Sequence, residues 1–164
     1  MHERSYIDTL IPARPVDAVA IALMSRRLVE AGLPSWSWTA RRVARHIHDP
    51  ESVVLVARRA DELAGFAIMG FGEEAVHLNL LAVEPRFRRA GLGRRMVRWL
   101  EESALVAGTF EVSLEVRASN AIARQFYRAL GYSEADVLPG YYERLEDAVR
   151  MTRDLRIVRV DQPS

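Results

Sequence analysis

The chain contains no cysteine and no lysine; all 23 of its Lys-plus-Arg residues are arginine. Without cysteine there is no disulfide, no thiolate nucleophile and no Cys-based zinc site. Without lysine there is no Schiff-base chemistry and no phosphate-binding lysine of an ATPase P-loop. Acidic residues number 22, so the formal net charge is only +1 and gives no global attraction to nucleic acid or membrane. The first residues, Met1-His2-Glu3-Arg4, are polar and lead into no long apolar run, which predicts neither a signal peptide nor a membrane span and a cytoplasmic location. Any chemistry rests on Asp, Glu, His, Tyr, Ser, Thr or the backbone.

What remains is an ordinary globular composition, 49% hydrophobic over 164 residues, with no repeat or linker, which predicts one domain over 1–164. Alternating patterns predict strands at Tyr6–Ile11, Ser52–Arg58, Leu63–Gly70, Ala75–Val83, Phe110–Arg117, Tyr132–Val137 and Ala148–Leu155. Helical spacing and caps predict helices over Val16–Ala31 with a stripe of Val19, Leu23, Leu28 and Ala31, and over Thr39–His48 with Thr39 as N-cap. A third helix is expected from Gly91 to Ala107. A fourth, capped by Ser119 and ended by Gly131, carries a stripe of Ile122, Phe126, Ala129 and Leu130. Runs of strands with inserted helices suggest a mixed sheet.

In the Ala75–Val83 strand, apolar residues alternate through Val76, Leu78 and Leu80 and then shift phase to Leu81 and Val83. Either a β-bulge or burial of the strand end on both faces produces that pattern. Next comes Arg88-Arg89-Ala90-Gly91-Leu92-Gly93-Arg94-Arg95, opening a helix. Glycines admit positive φ and close ligand approach, and a helix N-terminus offers free amides, so together they suit a diphosphate. Arg86, Arg88, Arg89, Arg94, Arg95 and Arg98 add a local positive field. The loop is not G-x-G-x-x-G, since Arg94, Arg95 and Met96 follow Gly93.

Arg88, Gly91 and Gly93 resemble the coenzyme-A signature of the GCN5-related N-acetyltransferases: Gln or Arg, two residues, Gly, one residue, then Gly or Ala. Leu114-Glu115-Val116-Arg117-Ala118-Ser119-Asn120, then Phe126-Tyr127 and Leu130-Gly131-Tyr132, are similar to bacterial enzymes that acetylate the N-terminal alanine of a ribosomal protein. Gly140-Tyr141-Tyr142 and Glu146-Asp147-Ala148 continue the likeness, which spans Ala75 to Leu155. Leu80 departs from it, standing where those enzymes tend to carry Asn, with Asn79 one place earlier.

The resemblance implies an α/β (α+β) fold of about six to seven mostly antiparallel strands in a mixed sheet with about four helices. It implies acetyl-CoA as acetyl donor, no metal, and direct transfer to an amine. Backbone groups of Leu81, Ala82 and Val83 would meet the pantetheine arm. Arg88, Arg89, Ala90, Gly91, Leu92, Gly93 and Arg94 would hold the diphosphate, and Asn120 would reach the arm. Glu115 would be the general base and Tyr127 the general acid, with Tyr141 and Tyr142 lining the acceptor groove from a late loop.

Read without it, Glu115 is a solvated strand residue, Tyr127 a core residue, Asn120 a helix cap and the tyrosine pair a loop anchor. His46 and His48, two apart on a helix, do not share a face and predict no metal site. His77 lies on the polar face of its strand, where it could border the groove, and is assigned no role. The expected acceptor is a peptide or protein N-terminus, with a small amine as alternative. A non-catalytic acyl-CoA sensor is the reading from another class, and nucleic acid is not expected as a partner. The chain is expected to be a monomer or homodimer.

Overall fold

The computed structural model describes residues 8–157. Seven strands and four α-helices are present among them, in the order the sequence predicts. The strands follow the order β1-β2-β3-β4-β5-β7-β6 in a mixed, mostly antiparallel sheet. By internal contacts the chain divides into two compact units, one running to Gly70 and including Asn79–Leu100, the other comprising Phe71–Leu78 and the chain from Glu101.

The first unit holds β1 (Thr9–Pro12), α1 (Ala18–Leu28), α2 (Ala40–His48), β2 (Ser52–Arg59) and most of β3 (Glu62–Phe71). It also takes the end of β4 (Val76–Val83) and the start of α3 (Leu92–Val106). Strands β2 and β3 form the expected hairpin, turning at Ala60 with φ +54°. Helices α1 and α2 pack Ile21, Ala22, Met24 and Val43 against Val54, Val56, Phe66, Ile68, Leu80 and Ala82. Phe66 is fully buried, and burying one such side chain stabilises by about 1.5–3 kcal/mol. The Thr39 hydroxyl caps α2 by accepting from Arg42 N–H at 3.3 Å.

One sequence expectation changes here, and of the two readings of β4 one is favoured. In α1, Val19 and Leu23 are exposed, and Ala18, Ile21, Ala22, Met24 and Ser25 are buried. The run Ala-Val-Ala-Ile-Ala-Leu-Met is apolar all round, so spacing alone does not fix its buried face. The helix starts only at Ala18, after a 3₁₀ turn at Pro15–Asp17. In β4 the buried positions continue in phase as Val76, Leu78, Leu80 and Ala82, with Leu81 and Val83 half-buried on the other face. The apparent shift reflects apolar residues on both faces.

The α1–α2 connection is tied by a buried carboxylate. Glu30 accepts from Ser37 N–H and Ser37 hydroxyl, each at 2.7 Å, from Trp38 N–H at 3.2 Å and from the Ser25 hydroxyl at 3.3 Å. The Arg42 guanidinium lies 3.8 Å from the Trp38 ring centroid and that of Arg26 5.0 Å from Trp36.

The second unit holds the start of β4, β5 (Glu111–Arg117), α4 (Ala121–Ala129), β6 (Ser133–Tyr142) and β7 (Glu146–Asp154). The parallel pair aligns Val76, His77 and Leu78 with Val112, Ser113 and Leu114. Strand β5 alternates as expected, burying Val112, Leu114 and Val116 and turning Ser113 and Glu115 to the other face. Phe110 lies just outside it, 42% exposed.

Of the two caps expected for α4, Asn120 serves, its Oδ1 accepting from Ala123 N–H at 3.1 Å, and Ser119 does not, its hydroxyl meeting Glu146. Tyr127 and Leu130 are buried, whereas Ile122 is 83% exposed, so the expected stripe is turned round the axis. Tyr141 and Tyr142 end β6 and are not in a loop. They lead into a distorted hairpin with positive φ at Gly140, Glu143 and Arg144, where Asp147 Oδ1 accepts from Gly140 N–H at 2.8 Å.

Candidate active site

Candidate site residues form two groups, one in each unit. In the first unit, β4 leads through a 3₁₀ turn at Pro85–Phe87 into the glycine loop and α3. Arg88 Nε donates to the Val83 carbonyl at 3.0 Å, bracing the loop against the end of β4. Arg89 and Gly91 adopt φ of +68° and +76°. A β-carbon at Gly91 would meet nothing within 4 Å, so the backbone there opens on unoccupied space and the glycine serves conformation.

Three of the loop's arginines are engaged. Arg88 holds the Val83 carbonyl, Arg86 pairs with Glu62 at 3.2 Å, and Arg95 reaches the Asp8 carbonyl at 3.3 Å. Arg89 and Arg94 are exposed and have no carboxylate partner among the described residues. Free helix-terminal amides, two uncompensated guanidiniums and open space at Gly91 fit a diphosphate.

Behind β4, Gly65 on β3 faces the Ala82 carbonyl, which would lie 2.6 Å from a β-carbon at that position. Only glycine lets the two backbones approach so closely. The sequence gives no sign of this, because the contact spans two strands.

In the second unit, Glu115 lies at the centre of a charged cluster. Its Oε2 meets His77 Nε2, and its Oε1 accepts from Arg150 Nε at 3.4 Å. Arg150 also approaches Asp136 at 3.8 Å. The Glu115 side chain is 9% exposed and that of His77 39%. Burial pushes the Glu115 carboxyl up, but the hydrogen bond and charge of His77, with those of Arg150, outweigh it and hold the group below the ordinary Glu range.

Tyr142 packs edge-on to Tyr141 at 5.0 Å between centroids, and the Arg117 guanidinium lies 5.7 Å from its ring. Burial, and then the neighbouring Tyr141 and Glu115, push its phenol well above the ordinary tyrosine value. Tyr127 packs edge-on against Phe126 and Tyr132, with centroids at 5.0 and 5.6 Å. Burial, then the charge of Tyr142, push the Tyr127 phenol far up as well, so it stays protonated at neutral pH. Below it the Tyr132 hydroxyl donates to Glu101 at 3.2 Å, and Arg153 donates to the same oxygen at 2.5 Å.

The second unit therefore brings Glu115 together with His77, to which the sequence assigned no role, and with Arg150, which sequence reasoning did not single out. His77 was legible as a polar-face residue, but its partner depends on β4 lying parallel to β5. Asn120 is the helix cap, with its Oδ1 committed to that bond.

The model of the acetyltransferase (GNAT) family matches residues 22–132, well over half of the chain. The chain belongs to the GNAT acetyltransferase family. The matched span takes in both the glycine loop and the Glu115–Tyr127 segment of this GNAT chain. A ribosomal protein bS18-alanine N-acetyltransferase of Salmonella typhimurium is 39% identical over 94 residues, covering 56% of this chain and 64% of that protein. The crystal structure of the Escherichia coli ribosomal-protein-S18-alanine N-acetyltransferase superposes with a TM-score of 0.79 at 26% identity, over 96% of this chain and 100% of that one. The PaiA N-acetyltransferase of Thermoplasma acidophilum, solved with coenzyme A, shares the fold at a TM-score of 0.77 and 17% identity, over 90% and 99% of the two chains.

Proposed function

We propose that this GNAT chain is an acetyl-CoA-dependent N-acetyltransferase whose acceptor is the α-amine of a peptide or protein N-terminus. The observation that carries it is the family match over residues 22–132, a span that contains the diphosphate-compatible loop, the Glu115 carboxylate with its side chain 9% exposed, and the protonated Tyr127 phenol. The ribosomal-protein N-terminal acetyltransferases among its relatives support that choice of acceptor.

In this reading Arg88, Arg89, Ala90, Gly91, Leu92, Gly93 and Arg94 hold the donor's diphosphate by amides and guanidiniums. Main-chain groups of Leu81, Ala82 and Val83 meet its pantetheine arm, one N–H polarising the thioester carbonyl. With Oδ1 engaged in the cap, Asn120 offers its amide nitrogen to that arm. Tyr141 and Tyr142 line the acceptor groove.

Glu115 belongs to the base that removes the amine proton, and Tyr127 supplies a proton to the departing sulfur. A free α-amine has a pKa of about 7.7–8, so a modest base suffices at neutral pH. The transfer is direct: the amine nitrogen bonds to the acetyl carbon as the carbon–sulfur bond breaks. Holding both reactants in place supplies much of the rate.

The test is release of free thiol from acetyl-CoA with a panel of N-terminal peptides and small amines. Alanine- and serine-started peptides are expected to turn over, and Glu115→Gln and Tyr127→Phe to slow turnover by about 10²-fold or more with coenzyme binding kept. Both variants working at the wild-type rate would remove these assignments. Turnover confined to small amines would change the acceptor. Tight acetyl-CoA binding without any turnover would make the chain a sensor.

A further inference from the structure

We propose that Arg27 on α1 is a positioning residue for the donor site: through Glu84 it holds the joint between β4 and the glycine loop, and it cancels a carboxylate charge at the entrance to that loop. This rests on the acetyltransferase reading above and adds a residue to its donor half. Arg27 Nη1 donates to Glu84 Oε1 at 2.8 Å and Nη2 to Oε2 at 3.0 Å. The two residues lie 57 positions apart, so the pair ties a helix to a turn that no local spacing connects.

Glu84 occupies the joint itself. It follows Val83, the last residue of β4, and precedes the 3₁₀ turn Pro85–Phe87 that leads to Arg88 and the glycine loop. Its main chain is fixed on both sides. The N–H donates to the Ala64 carbonyl of β3 at 2.8 Å, and the carbonyl accepts from Phe87 N–H at 2.9 Å. Those bonds set the path of the backbone but not the direction of the side chain. The Arg27 fork sets that, by meeting both carboxylate oxygens.

An exposed ion pair contributes little unless its geometry is bidentate. This one is bidentate, and the Glu84 side chain is only 15% exposed, against 55% for Arg27. The Arg86–Glu62 pair near the same loop meets at 3.2 Å with both side chains more than half exposed, so it holds less. Arg27 also has a firm base. It stands in the last turn of α1, where the helix dipole favours a cation. A turn before it Met24 is buried in the core, and a turn after it the buried Glu30 holds Ser37 and Trp38.

Charge matters as much as direction. In the acetyltransferase reading the donor's diphosphate settles on amides and guanidiniums from Arg88 to Arg94. An unpaired carboxylate at position 84 would oppose it. With Arg27 in place the pair is neutral, and the positive field of Arg89 and Arg94 is not offset from this side. Removing Arg27 therefore frees the Glu84 side chain and uncovers its charge.

The experiment uses the full chain, with CoA affinity by calorimetry and steady-state kinetics with acetyl-CoA and the best acceptor of the panel. Arg27→Ala is expected to weaken CoA binding, and to raise KM for acetyl-CoA, by about 5–20-fold. Both kcat and the acceptor KM should stay within about twofold of wild type, because the groups that act on the acetyl transfer are untouched. Arg27→Lys keeps the charge but loses the fork, so its CoA affinity should fall between those of wild type and Arg27→Ala. In a Glu84→Gln chain, adding Arg27→Ala should change CoA affinity by less than about twofold, since the carboxylate it acts on is gone.

The proposal is overturned if Arg27→Ala keeps CoA affinity within about twofold of wild type, whatever it does to thermal stability. It is equally overturned if Arg27→Ala weakens CoA binding as much in the Glu84→Gln chain as in wild type, since Arg27 would then act on the ligand without Glu84. A loss confined to kcat would overturn it too. Failure of the wild-type chain to bind CoA or acetyl-CoA would instead sink the acetyltransferase reading.

Discussion

Glu115 is subject to opposite pulls on its proton, and the outcome sets a pH signature. Burial favours the neutral acid, but His77 and Arg150 favour the carboxylate and prevail, so the folded-state pKa lies below the unfolded one. A depressed pKa means that the group stabilises the fold above the ordinary Glu value of about 4.3. That contribution is lost as the pH falls through the lower folded value. Denaturant unfolding of wild type and Glu115→Gln should therefore show a gap near neutrality that narrows steadily below pH about 4.3. A gap unchanged on acidification would mean that the carboxylate gains nothing from its partners. At this scale the sequence spoke unevenly. Glu115 and Tyr127 could be singled out through a family likeness, whereas His77 and Arg150 could not. Their importance lies in a contact across strands, and no local pattern encodes which strands are neighbours.

Among the elements, β5 and α2 were the most readable, because strict alternation and a Thr cap are local signals. The buried faces of α1 and α4 were not. In α1 apolar residues surround the axis, and in α4 the nine residues Ala121–Ala129 span too few turns for spacing to choose between Ile122 and Tyr127. Packing made those choices. Only the first part of β6 reads as a strand in sequence, because Pro139, Gly140 and two tyrosines interrupt the alternation after Val137, and its pairing with β7 is correspondingly irregular. Helix α4 carries Tyr127, so its cap bears on the chemistry. Asn120→Ala should cost about 1 kcal/mol of stability, read from denaturant unfolding. Asn120→Asp, which keeps an acceptor oxygen, should restore most of it. If Asn120→Ala leaves stability unchanged, the bond to Ala123 contributes nothing.

For the whole molecule, the near-zero net charge conceals a segregated distribution. The chain carries +1 overall, yet Arg89 and Arg94 stand beside the glycine loop without carboxylate partners among the described residues. Coenzyme-A affinity should therefore fall with ionic strength, by roughly tenfold between about 0.05 and about 0.5 M salt. The dependence should be flatter in an Arg89→Ala/Arg94→Ala double variant. Isothermal titration over that range checks it, and equal slopes in both proteins would show that these guanidiniums do not meet the phosphates. The element order, the mixed sheet and the glycine loop were all legible beforehand, since each depends on runs of neighbouring residues. The division into two compact units was not, because it reflects contacts distant in sequence.

One such distant contact has a mechanical result. The Ala82 carbonyl fills the space that any side chain at position 65 would need. Strand β3 thus acts as a rigid backstop to the last residues of β4. Recoil of that strand toward β3 is blocked by main chain, which does not yield as a flexible side chain would, so a load applied to its far face is resisted without loss of alignment.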